Sequence, residues 1–79
     1  MNLQLTPLGT NQTRIAFETL GDQYFILFSY SLPVACSVRG KYYKTKTKFS
    51  KTTSKHINNW LDGREAEEKE QEFFDNLIK

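Results

Sequence analysis

Seven basic side chains, Arg39, Lys41, Lys44, Lys46, Lys48, Lys51 and Lys55, stand between positions 39 and 55 with no Asp or Glu among them. Lysines at this density make a surface for phosphates or other anions, because an ammonium attracts negative charge without reading shape. Tyr42 and Tyr43 lie inside the block, where an aromatic ring can stack on an unpaired base while lysines follow the backbone. Arg39 is the one arginine in the block. Arginine is the usual reader of base edges, so the pattern points to backbone contact and away from sequence-specific recognition. Zinc-finger spacing, an RNP-like aromatic pair and a basic-zipper heptad are all missing.

Other chemistries are thinner. Thr52, Thr53 and Ser54, flanked by Lys51 and Lys55, read as a helix start: the hydroxyls cap orphan amides, and the same amides attract anions. His56 is the only histidine and borders an apolar stripe, where packing or capping suits it better than catalysis. A catalytic histidine needs a nucleophile and an orienting acid beside it. The single Cys36 falls on an inward strand position, as a small hydrophobe does. One His and one Cys are too few ligands for structural zinc, and no cofactor motif is present, so a non-enzymatic protein without cofactor is expected.

From Asp62 to Lys79 the balance reverses, with seven acids against Arg64, Lys69 and Lys79, so a net charge of +2 conceals a dipolar chain. The acids from Glu65 to Glu72 suit a solvated helix face, or imitate phosphates toward a basic partner.

These groups must be positioned by one small domain spanning 1–79, since 79 residues build a single modest core. The 38% hydrophobic and 25% charged content is that of a folded chain. A lone cysteine excludes a disulfide framework, and the longest apolar run, Tyr24 to Phe28, is far short of a membrane span. The expected compartment is the cytoplasm, without membrane association.

Leu3 and Leu5, then Ile15 and Phe17, alternate with polar neighbours and predict strands separated by a turn at Gly9-Thr10-Asn11. After Gly21-Asp22, the stretch Gln23 to Tyr30 is nearly all apolar, the mark of a central strand with both faces covered. Val34, Cys36 and Val38 share a face, and Arg39-Gly40 turns the chain into a basic strand over 41–47. Lys41, Tyr43, Thr45 and Thr47 fall on one face of it and Tyr42, Lys44, Lys46 and Lys48 on the other. Charge on both faces predicts an edge strand, whose lysines can simply block aggregation by strand pairing.

Ile57, Trp60 and Leu61 form the stripe of a helix over 52–62 capped by Gly63, and Phe73, Phe74, Leu77 and Ile78 that of a second over 64–78. The expected fold is α+β: an antiparallel meander of four to five strands over 2–47, followed by two helices packed on one sheet face. The other face is left for solvent, a partner or a homodimer; Tyr24, Ile26, Phe28 and Tyr30 share one strand face and read most simply as core or dimer interface.

The run Ser29-Tyr30-Ser31-Leu32-Pro33-Val34-Ala35, then Tyr43 with Thr45, then Ser50-Lys51-Thr52-Thr53-Ser54-Lys55-His56-Ile57-Asn58-Asn59-Trp60-Leu61 resembles a family of very short phage and mobile-element proteins. Its pattern is SY, PVA, a tyrosine strand and TTSxHINxWL, and it covers about half of the chain, roughly positions 24 to 63. Where members commonly carry Thr before the Pro, this chain has Leu32. The resemblance implies a phage-type, single-domain, non-catalytic protein and carries no active site.

Size, charge and resemblance together lead to the expectation of a binding protein acting on a host or phage nucleic-acid-handling complex, such as an anti-CRISPR-like inhibitor of host defence. The alternative is an accessory protein that binds DNA or RNA directly with weak sequence selectivity. The expected surface is Arg39, Lys41, Tyr43, Lys44, Lys46, Lys48, Lys51 and Lys55.

Overall fold

The computed structural model describes residues 3–9 and 11–77; Asn2 of the expected first strand, Thr10 of the first turn and Ile78 of the last helix lie outside the described residues. Five strands run as an antiparallel meander: β1 (Leu3–Gly9), β2 (Gln12–Thr19), β3 (Asp22–Ser29), β4 (Leu32–Val38) and β5 (Lys41–Thr45). Helix α1 (Lys51–Leu61), a short strand β6 (Glu67–Lys69) and helix α2 (Gln71–Leu77) complete the chain. The sheet order is β1-β2-β3-β4-β5-β6, with β6 parallel to β5. The α+β class is as expected.

Two-residue turns set the register. Thr19 pairs with Asp22 around Leu20-Gly21, and Val38 with Lys41 around Arg39-Gly40. Both central residues of each turn have positive φ, 52° and 83° in the first and 54° and 76° in the second. This is the type I′ geometry whose twist matches the strands it joins, and glycine adopts it without strain.

Ile26 and Leu27 are adjacent on β3 and both 0% exposed. Adjacent strand residues point to opposite faces, so the sheet is covered on both sides. On one face Leu27 and Ala35 pack with Ile57 and Leu61 of α1. On the other, Ile26 and Cys36 pack with Phe74 of α2, flanked by Phe28, Tyr43 and Phe73. The expectation of two helices on one face is thereby corrected. A strand apolar on both sides needs cover on both, one helix buries only one side, and β6 carries the chain along the sheet edge between them. The face offered above to a homodimer is occupied by α2 over β3 and β4.

The second helix is also shorter than the expected 64–78. Glu67, Glu68 and Lys69 pair with Tyr43, Lys44 and Thr45, and the Lys46 amide donates to the Lys69 carbonyl at 2.9 Å. A helix through this stretch buries little beyond Ala66 and sets Glu65 against Glu68 and Glu68 against Glu72 at helical spacing, where like charges repel. Pairing satisfies the open backbone groups of β5 instead. The basic strand is therefore an inner strand, not an edge, and among the described residues the sheet has six strands, not four to five.

Helix α1 starts where the hydroxyl run predicts. Ser50 has extended backbone (φ −162°, ψ 168°), and its Oγ accepts the Thr53 amide at 3.1 Å. Thr53, His56, Ile57 and Leu61 form the buried stripe. Asp62 (φ 50°) is the left-handed cap, and the expected Gly63 follows it in the same region at φ 83°. On the far side of the sheet the Gln71 side chain donates to the Pro33 carbonyl at 2.8 Å, tying α2 to β4 where its pairing with β3 shifts register.

Candidate binding surface

The basic block is divided by the fold into side chains that are already engaged and side chains that are not. Arg39, in the β4–β5 turn, grips Asp22 in a two-pronged ion pair: Nε donates to Oδ1 at 3.0 Å and Nη2 to Oδ2 at 2.7 Å. The guanidinium's hydrogen bonds hold the Asp22 carboxyl below its ordinary range. Lys46 pairs with Glu70 at 3.3 Å. Tyr43 is half-buried on the α2 side, its ring 5.5 Å from that of Phe73 and beneath the Lys69 ammonium at 5.7 Å. Its ring packs within the fold, where the sequence reading expected a base-stacking platform. Lys44 is half-buried on β5, and Lys41 stands exposed at the start of that strand.

Lys48, Lys51 and Lys55 behave differently. They line one shallow groove of about 580 Å³ with Phe49, Ser50, Ser54, Asn58 and Asn59. Positions 51, 55, 58 and 59 follow helical spacing, so α1 presents them along one side, and the segment 48–50 closes the groove below. No carboxylate lines it, and among the described residues none of the three lysines forms an ion pair. Phe49 is 40% exposed there, a large apolar ring amid ammonium groups. Its place between Lys48 and Ser50 was the available signal for this aromatic member, which the tyrosines overshadow in the sequence.

The acidic segment is partly spent on internal pairs. Glu67 meets Lys69 at 2.7 Å, and that hydrogen bond holds its carboxyl below the usual range. With Glu70 on Lys46, and the segment a strand rather than a helix, no continuous phosphate-like ladder is presented.

His56 and Cys36 are on opposite faces of the sheet and cannot act as a pair. Cys36 packs with Ile26 and Phe74, and burial pushes its thiol up to about 11. On the α1 side the Ser29 hydroxyl lies 2.8 Å from His56 Nδ1 and 3.0 Å from Thr53 Oγ1, which also accepts from the Ser50 hydroxyl at 3.2 Å. With Ser29 1% and His56 6% exposed, this network locks α1 to β3, and Thr53 is bound within it instead of facing an anion. The Tyr30 ring leans over His56 at 6.1 Å. Ser29 is the residue that periodicity misses: a polar end to an apolar strand reads as a turn, not as a helix anchor. Among the described residues no three His, Cys, Asp or Glu side chains gather as a metal site.

The two separated runs thus meet in space. Ser29 and Tyr30 contact Thr53 and His56, while Val34 and Ala35 join Ile57 and Leu61 in one core. A family model matches residues 1–76, nearly the whole chain. The chain belongs to DUF8033, a family of unknown function. No curated protein and no solved structure matches this DUF8033 chain. No helix among the described residues is long and apolar enough to cross a membrane.

Proposed function

We propose that this DUF8033 chain is a non-catalytic binding protein that acts on a nucleic-acid-handling complex, and that the groove at the start of α1 is its contact surface. The observation that carries the reading is the gathering of Lys48, Lys51 and Lys55, without an ion-pair partner among the described residues and without a lining carboxylate, around the exposed ring of Phe49. Ammonium groups with no internal partner favour an anionic surface, and an accessible aromatic anchor adds apolar contact at its centre. Arg39, Lys46 and Tyr43 leave the working surface because each is engaged within the fold. Lys41 and Lys44 lie on β5, outside the groove.

Inhibition of a host defence system is the specific form of this reading that the phage-type resemblance supports. Capture of partners from host lysate, followed by their identification, tests it. A nucleic-acid-handling complex that is recovered by the native chain and lost on charge reversal at Lys51 and Lys55 supports the reading; partners indifferent to the reversal sink it.

A second reading, direct binding of single-stranded nucleic acid, is favoured by Phe49 alone: a ring beside lysines is the arrangement that stacks a base while phosphates are neutralised. Three phosphate contacts predict a slope of roughly −2 in log affinity against log salt for a single strand. Absence of binding at low salt ends this reading.

A further inference from the structure

A second concavity, on the α1 face but away from the lysine groove, has a different character. Its floor follows from strand register: Phe25 lies opposite Ser37, and Ser37 opposite Tyr42, so these three share one face across β3, β4 and β5. Arg14, opposite Leu27 on β2, is on the same face, and Trp60 and Arg64, at and just beyond the end of α1, form the wall. The six residues enclose about 390 Å³, within the range of small-molecule sites.

Two guanidiniums line this cavity without any carboxylate. Each guanidinium carbon sits over an aromatic ring, Arg14 over Phe25 at 5.1 Å and Arg64 over Tyr42 at 5.4 Å from the centroid. A cation–π contact consumes none of the N–H donors of a guanidinium on an acceptor atom. Arg64 spends one donor on the Leu61 carbonyl at 3.1 Å. Arg14 Nε is buried and has no hydrogen-bond partner among the described residues. A buried donor on a cation without an acceptor is costly, and two like charges in one hollow add to that cost. An anion there relieves both. The remaining wall is aromatic, with Trp60 and Tyr42 in a T-shaped pair at 5.8 Å, and Ser37, a buried residue, adds a hydroxyl.

We propose that this cavity binds a phosphate-bearing aromatic ring, a nucleotide unit, with the phosphate taken by Arg14 and Arg64 and the base laid against Trp60. The source is either a free mononucleotide or one unit of a nucleic-acid strand, and the site is independent of the lysine groove.

Trp60 is the only tryptophan, so its fluorescence reports on the cavity directly. The chain is titrated with adenosine monophosphate, a single-stranded tetranucleotide, adenosine and inorganic phosphate. The expected result is saturable quenching by the phosphorylated nucleotides and much weaker responses to adenosine or phosphate alone. Arg64→Gln, at an exposed position, weakens binding by about tenfold or more, as loss of a charge-assisted bond requires. Arg14→Gln does the same with an unchanged circular dichroism spectrum. Tighter binding of the tetranucleotide identifies a strand as the source; equal binding identifies the free nucleotide. Absence of saturable quenching by either, or full binding by Arg64→Gln, overturns the proposal.

Discussion

Ser29 on β3 and His56 on α1, 27 residues apart in the chain, meet with the serine Oγ 2.8 Å from the imidazole Nδ1. Because Thr53 shares the same serine oxygen at 3.0 Å, one hydroxyl fixes two successive turns of the helix against the sheet. The helix so fixed carries Lys51 and Lys55 on its outer side, which makes the buried network the support of the exposed groove.

Removing that hydroxyl with Ser29→Ala strands a buried imidazole nitrogen and weakens the satisfaction of Thr53. Loss of about 1 to 3 kcal/mol is expected, the cost of leaving a buried polar group without its partner. Thermal or urea unfolding measures it, and Ser29→Thr, which keeps a hydroxyl, should recover part of the loss.

Phe74 is the centre of the α2 side of the core, fully buried against Ile26 and Cys36. Phe74→Ala is expected to cost about 3 to 5 kcal/mol. In a domain this small that is much of the total stability, so the variant should be largely unfolded or strongly shifted in its urea midpoint. A surface helix that merely rests on the sheet would show a far smaller shift.

The Arg39 and Asp22 pair gives stability a dependence on acid. The Asp22 carboxyl is lowered from 3.8 by its bonds to Arg39, so its contribution is fully present above 3.8 and fades as pH falls through the lower folded-state value. The native chain should therefore exceed Arg39→Gln in melting temperature at neutral pH, by a small margin because the pair is exposed, and the two should converge in strong acid. Added salt should narrow the margin at neutral pH as well.

The Cys36 thiol, buried and raised to about 11 from 9.0, should be nearly inert toward a disulfide reagent at pH 8 in the native chain and react fully in urea. Because the unfolded thiol ionises first, stability should decline as pH rises from 9.0 toward 11. Cys36→Ala should remove that component of the decline.

Most of the meander was legible because its signals are local. Alternation in β2, the apolar run of β3 and the Arg39-Gly40 turn act over two to eight residues and match what pairing requires, while the turn expected at Gly21-Asp22 falls one residue earlier, on Leu20-Gly21. The strand β6 was not legible: three residues, two of them glutamates, have no period, and their placement is decided by the open backbone of β5, which the side chains do not advertise. The same hidden pairing turned the expected edge strand into an inner one. Opposite placement of the helices was implicit in the two-sided burial of β3, but a stripe such as Phe73, Phe74 and Leu77 says only that a face is buried, not which side of the sheet receives it. Of the basic block, the helix-start lysines came through as an open surface; Arg39, Lys46 and Tyr43 found partners from Asp22, Glu70 and Phe73, far along the chain. Ser29, Phe49, Arg14 and Arg64 gained their meaning from neighbours in space.

The groove at the start of α1 is tested most directly by comparing partner capture from host lysate by the native chain, by K51E/K55E and by Lys41→Glu as an exposed control outside the groove. Glutamate at position 51 suits the first turn of a helix, so loss of capture would not reflect loss of fold, which circular dichroism verifies. The predicted result is a nucleic-acid-handling complex recovered by the native and Lys41→Glu chains and reduced about tenfold or more on K51E/K55E. Equal recovery of every partner by K51E/K55E would contradict the assignment of this surface.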